Sequence, residues 1–189
     1  MRFLLATCAV VLLPLLNGCA AVVLGGAAAT GGYLVGEDRR PAAVMTDDQA
    51  IEIKASNRIT EKYPNVHVAS TSFNKLVLLS GEVPDAAAKA DIERIVRGIE
   101  GVRGTYNELQ VGPVSPISAR ANDSYITSKV KTRFLDGRRF NPVHVKVVTD
   151  AGTVYLMGLV KKQEATDAVE LARTTSGVTR VVRLFELQD

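Results

Sequence analysis

Residues 48–178 spell one pattern twice, and a duplicated unit of this size restricts the fold more than any other feature of the chain. Asp48-x-x-Ile51-x-x-x-Ala55-x-x-x-Ile59 returns as Asp123-x-x-Ile126-x-x-x-Val130-x-x-x-Phe134. Val66-His67-Val68 returns as Val143-His144-Val145, and Val77-Leu78-Leu79-Ser80-Gly81-Glu82-Val83 as Val154-Tyr155-Leu156-Met157-Gly158-Leu159-Val160. Ile95-Val96 with Gly101-Val102 returns as Leu171-Ala172 with Gly177-Val178.

Each copy reads as helix, strand, strand, helix, strand. The first segment places apolar residues at i, i+4 and i+8, with Asp48 or Asp123 positioned to cap it. The next two stretches alternate apolar and polar residues, as half-buried strands do. Asn74 and Asp150-Ala151-Gly152 suit the turns between them. Pro84-Asp85 opens the second helix of the first copy, and Gly101 or Gly177 closes that helix. Its buried face is Ile92, Ile95, Val96 and Ile99 in one copy and Ala168, Leu171 and Ala172 in the other. The expected fold class is α/β (α+β), with two helices on a three-stranded mixed sheet in each copy. A unit of about 65 residues buries only about 60% of its unfolded surface, so the copies are expected to pack together. The predicted bounds are 47–112 and 119–189, joined by a proline-containing linker at 113–118 that restricts their relative motion.

What precedes the repeat reads as an address. Arg2, the apolar run Phe3–Leu16 and then Asn17-Gly18-Cys19 follow signal-peptide grammar, and Leu16–Cys19 resembles a bacterial lipobox. Residues 1–18 are therefore expected to be removed and Cys19 to carry acyl chains, each buried CH₂ adding about 0.8 kcal/mol of anchoring. Ala20 rather than Asp next to that cysteine favours, by resemblance to sorting rules, the outer membrane. Residues 19–46 form the expected tether, because Gly25-Gly26 and Gly31-Gly32 disfavour a second membrane-spanning helix. Both cysteines, Cys8 and Cys19, precede the repeat, so no disulfide supports it.

Charge is unequal between the copies. Residues 47–112 carry 8 Lys/Arg against 10 Asp/Glu, a net of −2, whereas residues 117–189 carry 12 against 8, a net of +4. One half is thus expected to face an anionic partner, and nucleic acid is not the partner that such a split suggests. On a helical wheel with Ile126, Val130 and Phe134 inward, Tyr125, Ser128, Thr132 and Leu135 point outward. Lys129 and Lys131 flank that face, Arg133 lies at the core edge, and Arg138-Arg139 follow in the loop. An aromatic and a leucine between cations suit phospholipid headgroups, where each Lys or Arg contributes about 1 kcal/mol. The first copy has Ala50 for Tyr125 and Asn57 for Thr132, and carries Glu52. The alternative is a plain solvated helix face.

His67 and His144 occupy equivalent positions without neighbouring Cys or paired carboxylates, so they are read as exposed strand histidines and no metal site is expected. No nucleophile–base pair and no cofactor motif is apparent. Gly81 and Gly158 are expected to allow a bulge or a close backbone approach.

The D-x-x-I helix, the V-x-L-x-G-x-V strand and the closing G-V-x-x-V resemble the BON domain, over roughly residues 37–189. Two such domains behind a lipobox resemble the dual-BON outer-membrane lipoproteins of the DolP type. That resemblance implies a non-enzymatic protein whose second domain binds anionic phospholipid (phosphatidylglycerol, cardiolipin). It also implies a role in outer-membrane integrity at division sites, with Tyr125 at the family's interfacial aromatic. The rival expectation is an envelope adaptor that binds a protein, such as the outer-membrane protein assembly machinery, through its first domain and touches the membrane only at Cys19.

Overall fold

Both copies fold in the order their periodicity dictates. The first comprises α1 (Ala42–Lys62), β1 (His67–Phe73), β2 (Leu76–Val83), α2 (Ala86–Arg97), β3 (Gly104–Asn107) and β4 (Gln110–Val111). The second comprises α3 (Ile117–Gly137), a 3₁₀ turn (Pro142–His144), β5 (Val145–Asp150), β6 (Thr153–Lys161), α4 (Lys162–Arg173) and β7 (Arg180–Gln188). The computed structural model describes residues 38–189, of which Arg39–Asp189 make one compact unit. Cys19, the signal segment and most of the expected tether lie outside the described residues. Among those described, no helix is long and apolar enough to cross a membrane.

Each sheet is mixed. Strand β2 runs antiparallel to β1 and parallel to β3, and β6 does the same with β5 and β7. The first sheet gains a fourth, two-residue strand, β4, beside β2. The returning strand breaks there because Leu109 turns into the core of its own copy. The helices cover one face of each sheet. Ile51, Ala55, Ile59, Val77, Leu79, Ile92 and Val96 form the first core, and Ile126, Val130, Phe134, Val154, Leu156 and Leu171 the second.

The helices begin earlier than their capping signals suggested, one residue after Pro41 and Pro116. Asp48 and Asp123 therefore stand inside α1 and α3 and cap nothing. They are buried because each binds the hairpin of its own copy. Asp48 accepts the backbone N–H groups of Asn74 (2.8 Å) and Lys75 (2.7 Å) and the Ser72 hydroxyl (2.6 Å). Asp123 accepts those of Ala151 (3.0 Å) and Gly152 (2.9 Å). Both turns hold two successive residues at positive φ, Asn74 and Lys75 at 51° and 65°, Ala151 and Gly152 at 47° and 72°. That is the primed geometry matching the twist of two-residue hairpins, and it aims both N–H groups at one acceptor. A carboxylate is the side chain with two acceptor oxygens and no donor. Asp48→Ala strands these donors and should destabilise the protein by about 2–4 kcal/mol, with Asp48→Asn costing roughly half; urea unfolding checks both.

The central strand of each sheet is not half-buried, whereas β1 and β5 are largely so. In β2 every residue from Val77 to Val83 is buried, and in β6 all from Thr153 to Val160 except Leu159. The face turned away from the helices carries a third cluster of Phe73, Leu78, Tyr155, Met157 and Leu184, drawn from both sheets. The two sheets thus pack on each other, and the expected packing of the copies is met through their strands. Polar ties ring this contact: Lys146 to Glu52 at 2.7 Å, Asn74 to Glu186 at 2.8 Å, and Arg103 to Glu186 at 2.9 Å.

Candidate functional site

Helix α3 packs Ile126, Val130 and Phe134 inward at 1% exposure or less, so residues half a turn away must face out. Tyr125 and Leu135 are each 62% exposed, and Ser128 and Thr132 lie exposed between them. The steps of three, four and three residues keep these four in one stripe. Both hydroxyls are turned back onto the helix, Ser128 to the Ser124 carbonyl and Thr132 to that of Ser128, at 3.0 Å each. The stripe thereby offers a ring, an isobutyl group and small capped hydroxyls.

The stripe is longer than its sequence suggested. Because α3 starts at Ile117, two turns precede Asp123, and Ile117 is 75% exposed. It stands 18 residues before Leu135, which is five turns and about 27 Å along the axis, on the same side. Starting the helix at Asp123 hid this residue; Pro116 directly before it was the available signal.

The flanking cations divide into two groups. The Lys129 ammonium bonds the Ser176 carbonyl and lies 4.7 Å from the centre of the Tyr125 ring. The Arg133 guanidinium reaches the Thr175 hydroxyl at 3.2 Å. Their equivalents in α1 are Lys54 and Arg58, and Arg58 likewise bonds the turn after α2, at the Gly98 carbonyl (3.3 Å). Arg133 is thus part of the repeat's framework, and Lys129 is shared between framework and stripe. Lys131 and Arg138 are exposed and make no ion pair among the described residues. Arg139, also exposed, is 3.5 Å from Asp167. Asp136 is exposed on the same outer side.

Helix α1 has no such face. Ala50 stands in for Tyr125 and Ser56 for Lys131, although Ile53 is exposed. Glu52 is not an outward charge: its carboxylate takes Lys146 and the Ser72 N–H (2.8 Å) at the contact between the sheets.

The histidines are placed differently from expectation. Neither is a freely exposed strand residue. His67 begins β1, where its Nδ1 lies 3.0 Å from Glu82, its cross-strand partner, and Asp150 of the other copy completes a cluster. His144 belongs to the 3₁₀ turn, its side chain largely buried, with Nδ1 3.9 Å from Glu164. The expected absence of neighbouring carboxylates thus fails for both.

A family model for the BON domain matches residues 47–113 and again 122–189. This is a tandem BON-domain protein. Its first copy is BON1 and its second BON2. It is 36% identical, over 92% of this chain and 91% of the relative, to "Outer membrane lipoprotein DolP" of Haemophilus influenzae, which places it in the DolP-like group. It is 29% identical to the "21 kDa hemolysin" of Actinobacillus pleuropneumoniae, with 78% of each chain covered. It is 31% identical to "Osmotically-inducible protein Y" of Escherichia coli, covering 71% of this chain and 70% of that one.

The lead-in to BON1 is fastened to both domains. Arg39 donates to Glu164 of BON2 (2.6 and 2.7 Å) and to the Leu159 carbonyl (2.9 Å). The Arg39 guanidinium beside Glu164 holds that carboxyl below its usual range. Arg40 pairs with Asp48 of BON1 at 2.8 Å and lies 3.8 Å over the Phe73 ring. Two adjacent arginines thus grip different domains at the root of the expected tether.

Proposed function

We propose that this protein is an outer-membrane lipoprotein, anchored through acylated Cys19 on the periplasmic side. In this reading BON2 binds anionic phospholipid through the outer face of α3 and thereby supports outer-membrane integrity, at division sites and without catalysis. The lipobox and the name borne by the Haemophilus relative support the anchor. The observation that carries the binding step is the exposed stripe Ile117–Tyr125–Leu135 beside the exposed cations Lys131 and Arg138. Apolar groups enter the boundary between headgroups and acyl chains while the cations stay at phosphate level. Tyr125 suits that depth because its ring is apolar and its hydroxyl polar. Lys129 beside the ring brings a further charge to the same level.

Chemical-shift mapping of residues 38–189 with phosphatidylglycerol or cardiolipin micelles tests the reading. The expected perturbations lie at 117–139 and spare α1. Perturbations confined to BON1, or equal responses to neutral phosphatidylcholine, would overturn it in favour of a protein-binding adaptor. Asp136 opposes an anionic surface, so Asp136→Asn should strengthen binding to such vesicles. A unit charge there is worth about 1 kcal/mol, roughly a fivefold gain in co-sedimentation affinity at low salt that fades as salt is raised.

A further inference from the structure

Between the two sheets, away from α3, three side chains from three strands converge. His67 opens β1, Glu82 stands opposite it on β2, and Asp150 ends β5 of the other domain. One nitrogen or oxygen from each lies within 4.8 Å of the others. Glu82 and Asp150 are both 8% exposed, and His67 is half-buried. From these positions we propose that the BON1–BON2 contact holds a divalent transition-metal ion, Zn²⁺ being the best fit, ligated by His67, Glu82 and Asp150.

The donor set suits such an ion. Imidazole with two carboxylates and one open position is a zinc-type environment, with bonds of about 2.0–2.2 Å. Tetrahedral ligands at that distance lie about 3.4 Å apart. His67 and Glu82 already stand 3.0 Å apart, and small side-chain rotations close the remaining separations. The Ser115 hydroxyl, on the linker, donates to Glu82 at 3.2 Å and helps to hold that carboxylate. Asp150 is oriented by the Gly81 N–H at 2.9 Å on one oxygen, and its other oxygen takes no hydrogen bond from the described residues. A backbone N–H that fixes a ligating carboxylate in this way is the kind of support metal sites need.

Charge points the same way. Two buried carboxylates share one imidazole, and Asp123 adds to the negative field. Buried charges of one sign are costly unless paired or bound to metal. The fold does not require this acid: BON2 places Leu159 where BON1 places Glu82, in the same strand after the same glycine. The ion would bind both domains at once and fix their packing.

Titration of the metal-stripped full-length protein in detergent micelles with ZnCl₂ and CoCl₂ tests this. Calorimetry should find one Zn²⁺ per chain, and Co²⁺ should develop visible d–d bands. His67→Gln and Asp150→Asn should each weaken binding at least tenfold, while His144→Gln leaves it unchanged. Asp150→Asn keeps the acceptor for the Gly81 N–H, and unchanged circular dichroism separates ligand loss from misfolding. No saturable binding, binding that survives Asp150→Asn, or loss on His144→Gln would each overturn the proposal.

Discussion

Gly81→Ala should lower the stability of the protein by at least about 3 kcal/mol, which for a unit of this size is a fall in Tm of roughly 6–12 °C. A Cβ at Gly81 would lie 1.9 Å from the His67 carbonyl oxygen and 2.9 Å from its carbon. Both are backbone atoms of the paired strand, so relief requires β1 to leave β2. The glycine also sits at φ +117°, which a side chain rarely tolerates. The repeat supplies a second instance, since a Cβ at Gly158 would meet the His144 carbonyl at 2.3 Å. Gly101→Ala is the control. Its φ is +90°, but the nearest atom to the added carbon is the Ile51 methyl at 3.7 Å. It should lose only the conformational part, about 1–2 kcal/mol. Equal losses at Gly81 and Gly101 would show that steric approach between strands is not the cause. Thermal melts of the two variants decide the matter.

The second large effect is expected on lipid vesicles. Tyr125→Ala combined with Lys131→Glu should reduce affinity for phosphatidylglycerol vesicles by between about two and three orders of magnitude. Reversing a charge at the surface accounts for about 2 kcal/mol, and removing a ring from the interface for roughly another 1.5. Both side chains are exposed, and neither supports the core, so the fold should be unchanged and the melting temperature with it. Arg133→Gln makes the instructive comparison, because its guanidinium bonds Thr175. Its loss should appear in stability before it appears in binding. Binding unaltered in the double variant would remove α3 as the docking element.

Much of this molecule was legible because the repeat reports each element twice. Ile51-x-x-x-Ala55-x-x-x-Ile59 and its counterpart identified the buried faces of α1 and α3, and those faces placed Tyr125 and Leu135 outside. Asp85 does start α2, its carboxylate accepting the Ala88 N–H at 2.7 Å. Asp48 and Asp123 misled because an acid ahead of an apolar helical pattern looks like a cap, whereas their partners are turn amides 26 to 29 residues later. The error concealed the first two turns of α3 and with them Ile117. Alternation in β2 suggested one solvated face, but that face is covered by β6 and β7, which no local pattern announces. His67, Glu82 and Asp150 escaped for the same reason: the third member comes from the other copy.

Back-to-back sheets also bear on how a duplicated gene can diverge. Phe73, Leu78, Tyr155 and Met157 are neighbours across the two copies, so a substitution in either must be tolerated by its twin. The outward sides of α1 and α3 carry no such mutual obligation. Innovation is therefore channelled to the helices, leaving one twin to become cationic and aromatic while its sibling stays free for a different task.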